Sequence, residues 1–118
     1  MKPDVDDQFW NRADQLVASH PIVIDRPAGT SHPRFQDIIY PFDYGYLDGT
    51  GAIDGDGVDW WRDGLPRLAV TGAIMTVDVA KADSEVKWLV GCMADEMELA
   101  LATHRTEWQS ALLIFRNE

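Results

Sequence analysis

The segment DGDGVD gathers three carboxylates, Asp54, Asp56 and Asp59, within six residues. In extended backbone, residues i and i+2 face the same side, so Asp54 and Asp56 can converge, and Asp59 can fold back beyond Gly57. Clustered carboxylates repel one another until a cation neutralises them. An all-oxygen donor set selects Mg²⁺, Mn²⁺ or Ca²⁺. A solvated Asp-Gly turn gives the same spacing, and spacing alone leaves both readings open. An EF-hand loop does not fit, because it needs an acid or amide where Val58 stands and glycine where Asp59 stands.

A second acidic group comprises Asp78, Asp83 and Glu85, followed by Lys87. If 83–87 is extended, Asp83, Glu85 and Lys87 share one face, either as a charged outer surface or as part of a site. Arg34, Lys87 and Arg105 are the bases available to an anion, and Arg105 also suits a helix end. Tyr40, Tyr44 and Tyr46 in IIYPFDYGYL suit barrel packing. A tyrosine hydroxyl beside carboxylates can also donate to a phosphate oxygen or a metal-bound water. His20, His32 and His104 are isolated and lack zinc-site spacing with Cys92. The lone Cys92, in apolar WLVGCM, reads as a buried thiol. Neither glycine-rich stretch matches a P-loop or a dinucleotide fingerprint.

The elements that must position these groups are short. Over 6–18, Phe9, Ala13, Leu16 and Val17 have the spacing of an amphipathic helix, which Pro21 stops. Residues 22–26 read as a strand ended by Pro27 and the turn AGTSHP. Residues 35–46 mix aromatic and β-branched types with Pro41 and Gly45, which suggests short strands and a sharp bend. The stretch DGTGAIDGDG must be a loop or hairpin tip. Strands are expected over 58–62, 67–79, 85–92 and 111–115. A helix is expected over 94–105, with Asp95 and Glu96 in its first turn and Arg105 in its last, as the macrodipole prefers. The expected fold is α+β: a small, OB-like, five-stranded β-barrel with an N-terminal and a C-terminal helix.

Composition sets the outer bounds. The 118 residues suit one domain over 1–118, and 46% apolar content is that of a globular chain. Twenty acids against ten bases give a net charge of −10, which argues against nucleic acid as a partner. If the substrate is itself an anion, cations held by the carboxylates must bridge it to the protein. No apolar run reaches membrane-spanning length. MKPDVDDQFW carries acids where a signal peptide carries bases, so a cytoplasmic protein is expected. Self-association into a homo-oligomer is compatible with all of this.

Taken in order, IVIDRPAGTSHPRF, IIYPFDYGYLDGT and DGDGVDWW resemble the active-site core of the soluble (family I) inorganic pyrophosphatases. The likeness is strongest to a short bacterial branch with HPR, IYP-x-DYGY and a Gly-Asp-rich loop. It spans roughly 20–92, with weaker agreement to 105. It implies Mg²⁺-dependent hydrolysis of inorganic pyrophosphate, a small anionic phosphate substrate, to two phosphates, with Mn²⁺ able to substitute. By this resemblance Asp54, Asp56 and Asp59 are metal ligands. So are Glu85 and Asp78, with Asp83 competing for the place of Asp78. Asp56 orients or deprotonates the attacking water and Tyr44 tunes it. Arg34, Tyr40, Lys87 and Arg105 bind substrate, Asp25 replaces a glutamate, and His104 with Arg105 falls on a phosphate-contacting Tyr-Lys pair. The chain departs from the family at Gln36, where a glutamate is usual, and at Gly57, where a proline is usual. It also lacks the hairpin whose arginine should precede Tyr40. Hydrolysis of another small phosphorylated compound, or metal and ligand binding without catalysis, would draw on the same residues.

Overall fold

The computed structural model describes residues 7–33, 36–51 and 69–116 in full, and Val58–Arg62 as backbone. The chain order is α1 (Asp7–Ala18), β1 (Ile22–Arg26), β2 (Asp43–Leu47), β3 (Val58–Arg62), β4 (Val70–Asp78), β5 (Asp83–Val90), α2 (Ala94–Thr103) and β6 (Gln109–Phe115). The class is α+β with a helix near each end, as expected. Six strands form where five were expected, in the order β1-β2-β3-β5-β4-β6. Short strands were expected within 35–46, and the described part of that stretch divides around Pro41. Only Asp43–Leu47 joins the ladder, while Ile39 makes a single bridge to Ser31. Proline has no N–H to give a ladder, so the strand begins after it. Neighbouring strands are antiparallel except β3 and β5, which run parallel.

Strands β1 and β6 are the sheet's two ends, and among the described residues no ladder joins them into a closed barrel. The sheet nevertheless curls. Ile22 of β1 and Ile114 of β6 pack on one apolar cluster, made by Trp10, Ala13 and Val17 of α1 with Leu47, Val70, Ala73 and Val90. The buried stripe of α1 is therefore Trp10, Ala13 and Val17, not one that starts at Phe9. Phe9 stays 45% exposed and lies at the helix edge, 5.5 Å from the ring of Trp88. Asp14 ties α1 to the strands: its Oδ1 accepts from Val70 N at 2.8 Å and from Arg116 Nη1 at 2.9 Å.

The period-2 alternation of β4 and β5 sends successive residues to opposite faces. Ala73, Trp88 and Val90 face α1. Ile74 and Leu89 face α2, where Met97, Ala100 and Leu101 close a second cluster with Tyr40 and Cys92. Cys92 is buried, as expected. Helix α2 starts where Glu96 Oε1 accepts from Met93 N at 2.8 Å, satisfying one of the N–H groups that a helix start leaves orphaned. Removing Ile74 and Leu89 wholly from water supplies roughly 1.5–3 kcal/mol each. Along the α2 face the register pairs Ile74 with Lys87, Thr76 with Glu85, and Asp78 with Asp83. The apolar floor thus turns polar within two residues of each strand.

Candidate functional site

Three segments bring chemistry to this polar end of the face. The first is the β1–β2 pair. Ile24 opposes Gly45, but the next paired residue is Arg26, opposite Tyr44, so Asp25 is the extra residue of a β-bulge. Bulges bend a strand and re-aim side chains. Gly45 permits this close approach. A Cβ there would drive into the carbonyl oxygen of Val23 and come within 3.0 Å of Asp25 N. Beyond the bulge, a turn with Gly29 at φ 83° holds Tyr40 in place: Gly29 N donates to Tyr40 O at 2.8 Å, and Tyr40 N to Thr30 O at 2.9 Å.

The result is a row of rings. Tyr40 and Tyr44 stack with centroids 5.6 Å apart, His32 stacks on Tyr40 at 6.1 Å, and His104 tilts against Tyr44 at 6.0 Å. Each tyrosine carries a cation. Arg26 lies 5.6 Å over the Tyr40 ring and donates from Nη1 to Tyr40 Oη at 2.8 Å. Lys87 Nζ lies 5.6 Å over the Tyr44 ring. Burial pushes the Tyr40 hydroxyl above its ordinary pKa, and the positive charge of Arg26 opposes the rise. Tyr40 therefore remains a neutral donor and acceptor at physiological pH.

The second segment is β5. Lys87 is only 5% exposed, and its ammonium donates to Glu85 Oε2 at 2.8 Å. Glu85 also shares a hydrogen bond with Asp83, whose carboxyl burial and the neighbouring Glu85 charge push above the ordinary range. The third segment joins α2 to β6. His104 Nδ1 lies 3.0 Å from Gln109 Oε1, and Gln109 Nε2 donates to Asp78 Oδ2 at 3.2 Å. The backbone N–H of Lys81 donates to Asp78 Oδ1 at 2.9 Å and is the main cause holding that carboxyl below its ordinary pKa; burial opposes it and Gln109 assists. Burial, then the charge of Lys87, lowers the His104 pKa to about 4, so its ring is neutral.

Of the residues expected from sequence, Tyr40, Tyr44, Lys87, Glu85 and Asp78 lie on this one face. Asp78 and Asp83 are register partners, so both carboxyls reach it. Helix α2 ends at Thr103, short of the expected 105, so Arg105 lies beyond its last turn; it is exposed there and its Nη2 donates to Ala111 O at 3.4 Å. Asp54, Asp56 and Arg34 lie outside the described residues. Asp59 is described as backbone, at the β3 position opposite Tyr46. Among the described residues no three His, Cys, Asp or Glu side chains converge as a metal cage. Sequence reading gave no role to Arg26 or Gln109. Gln109 joins the face only through the β4–β6 register, and nothing in its own neighbourhood signals that.

Comparison with protein-family profiles finds no match, and comparison with curated proteins finds none. Solved structures do match. A protein described as an inorganic phosphatase from Anaplasma phagocytophilum superposes with a TM-score of 0.56 at 14% identity, over 80% of this chain and 81% of that one. An inorganic pyrophosphatase from Coxiella burnetii gives 0.51 at 21% identity, over 76% of this chain and 81% of its own. No helix among the described residues is long and apolar enough to cross a membrane. At such identities the likeness speaks for the fold alone, and the fold of this chain is similar to that of inorganic pyrophosphatases.

Proposed function

We propose that the protein is a cytoplasmic, Mg²⁺-dependent hydrolase of inorganic pyrophosphate, with Mn²⁺ as a substitute. The observation that carries this reading is the buried Lys87 ammonium, held between Glu85 and the Tyr44 ring on the polar face of a pyrophosphatase fold. An anionic phosphate oxygen is the natural partner of such a charge, because charge-assisted hydrogen bonds are strongest where water is thin.

The donor chemistry on that face fits a hard cation. Burial, and next the Glu85 charge, raise the proton affinity of Asp83, and a divalent ion would relieve the repulsion between the two carboxylates. Asp54, Asp56, Asp59, Asp78 and Glu85 are the carboxylates proposed to hold it, with Asp83 competing for the place of Asp78. When bound, Mg²⁺ neutralises phosphoanhydride oxygens and acidifies water. In this reading Asp56 orients or deprotonates the attacking water and Tyr44 tunes it. Lys87, Arg34 and Arg105 bind phosphate oxygens, and Tyr40 lines the pocket.

The test is phosphate release from pyrophosphate and from a nucleotide panel, with Mg²⁺ present and then chelated. Wild type should release phosphate from pyrophosphate only with Mg²⁺ or Mn²⁺, and Asp56→Asn should lose most of it. Turnover confined to a nucleotide or another phosphorylated compound would replace the substrate. No turnover, with Mg²⁺ still bound by calorimetry, would make the protein a binding module.

A further inference from the structure

We propose that Arg26, delivered to the face by the β1 bulge, is an anion-binding residue of this site. The inference rests on the pyrophosphate reading for its ligand, but it comes from a separate feature, the pairing of β1 with β2.

The register fixes what the bulge does. Ile22, Val23 and Ile24 pair in step with Leu47, Tyr46 and Gly45. Continued without interruption, that register would set Asp25 opposite Tyr44. With one residue looped out, Arg26 takes the place opposite Tyr44 instead. The side chains follow. Arg26 reaches the Tyr40 ring and hydroxyl, whereas the Asp25 side chain is 58% exposed and meets Arg26 Nε only at 3.7 Å. A bulge therefore exchanges the charge presented at this position, from an acid to a base.

Arg26 is well placed to meet a ligand. Its side chain is 29% exposed, so a ligand can reach it. Tyr40 Oη holds one nitrogen, Nη1, and orders the guanidinium plane without neutralising it. Among the described residues that hydroxyl is the hydrogen-bond acceptor given to the guanidinium, which leaves N–H groups of the fork available for a phosphate oxygen. Arg26 on Tyr40 and Lys87 on Tyr44 flank two rings stacked 5.6 Å apart. Two cations across a stacked tyrosine pair suit a ligand with two separated anionic groups. This also offers an answer to the missing hairpin arginine before Tyr40: the base arrives from the strand on the other side of the tyrosine.

The experiment is calorimetric titration of methylenediphosphonate, a pyrophosphate analogue whose P–C–P bridge is not hydrolysed, at fixed Mg²⁺, into wild type, Arg26→Gln, Arg26→Lys and Tyr40→Phe, with Tm measured for each. Losing one charge-assisted contact should weaken Kd about tenfold in Arg26→Gln. Arg26→Lys should recover part of the loss, because it keeps charge without the planar fork. Tyr40→Phe should fall between wild type and Arg26→Gln, since it frees the guanidinium without removing it. Those shifts at an unchanged Tm separate anion binding from a structural role. Wild-type affinity in Arg26→Gln would overturn the inference and leave the pyrophosphatase reading intact. Arg26-dependent binding by a protein that hydrolyses nothing would uphold the inference and overturn the catalytic reading. Failure of wild type both to bind the diphosphonate and to hydrolyse pyrophosphate would overturn both. Should Arg26→Gln not fold, Arg26→Lys and Tyr40→Phe carry the same decision, with undiminished affinity in both counting against the inference.

Discussion

Lys87 and Glu85 are two residues apart on one strand, face the same way, and meet at 2.8 Å with the lysine almost wholly out of water. The pair is unequal: the glutamate side chain is three times as exposed as the lysine, 22% against 7%. The carboxylate therefore keeps partial access to solvent and to ligands, while the ammonium depends on its neighbours for stabilisation. Glu85→Gln should destabilise the fold by about 1–3 kcal/mol, because it leaves a buried charge with a weaker partner. Lys87→Met keeps the stem and removes the charge, so it should lower kcat/KM for pyrophosphate roughly tenfold or more. In a double-variant cycle by urea unfolding, the two changes should be non-additive, with the double variant recovering part of the Glu85→Gln loss. Strictly additive effects would remove the pair from the account of stability.

His104 gives the protein a pH dependence of defined sign. Its pKa falls from an ordinary 6.5 to about 4, chiefly through burial and next through Lys87. Between those values the unfolded chain binds the proton and the folded one does not. Its contribution is therefore complete above pH 6.5, is lost as pH falls toward 4, and levels off below that. The whole span corresponds to about 3 kcal/mol. Urea unfolding of wild type should show this loss, and His104→Gln should flatten it by a large part of that amount. Equal slopes for the two proteins between pH 4 and 6.5 would reject a neutral, buried imidazole.

Gly45 is the residue on which the bulge leans. Alanine there places a methyl group against the Val23 carbonyl, and backbone cannot give way as a flexible side chain would. Gly45→Ala should cost about 3 kcal/mol or more, or prevent folding. By contrast Gly51, where an added Cβ meets no atom of the described residues within 4 Å, should accept alanine with a change within ~0.5 kcal/mol. Thermal melts of the two variants side by side check the contrast. A Gly45→Ala protein with wild-type Tm would mean that β1 can withdraw from β2 at no cost.

What the sequence alone determined lies mostly at the level of local pattern. Period-2 alternation put Asp83, Glu85 and Lys87 on one face before any fold was known, because strand geometry alone requires it. The acidic first turn at Asp95 and Glu96 and the strand-like runs were legible for the same reason: each depends on near neighbours in the chain. The carboxylate chemistry expected of DGDGVD stays an expectation, because its side chains lie outside the described residues. Tertiary structure decided the rest. Both Phe9 and Trp10 fit a helical stripe, and the curl of the sheet, which no window of α1 contains, chose Trp10 for the core. Pairing of Gln109 with Asp78 follows from the β4–β6 register over a separation of 31 residues, whereas His104, which also meets Gln109, is only five residues from it. Nothing within IVIDRP marks a bulge. The extra residue exists only in the mismatch between that strand and DYGYL, so the choice of Arg26 over Asp25 belongs to the pairing of two strands and to neither one alone.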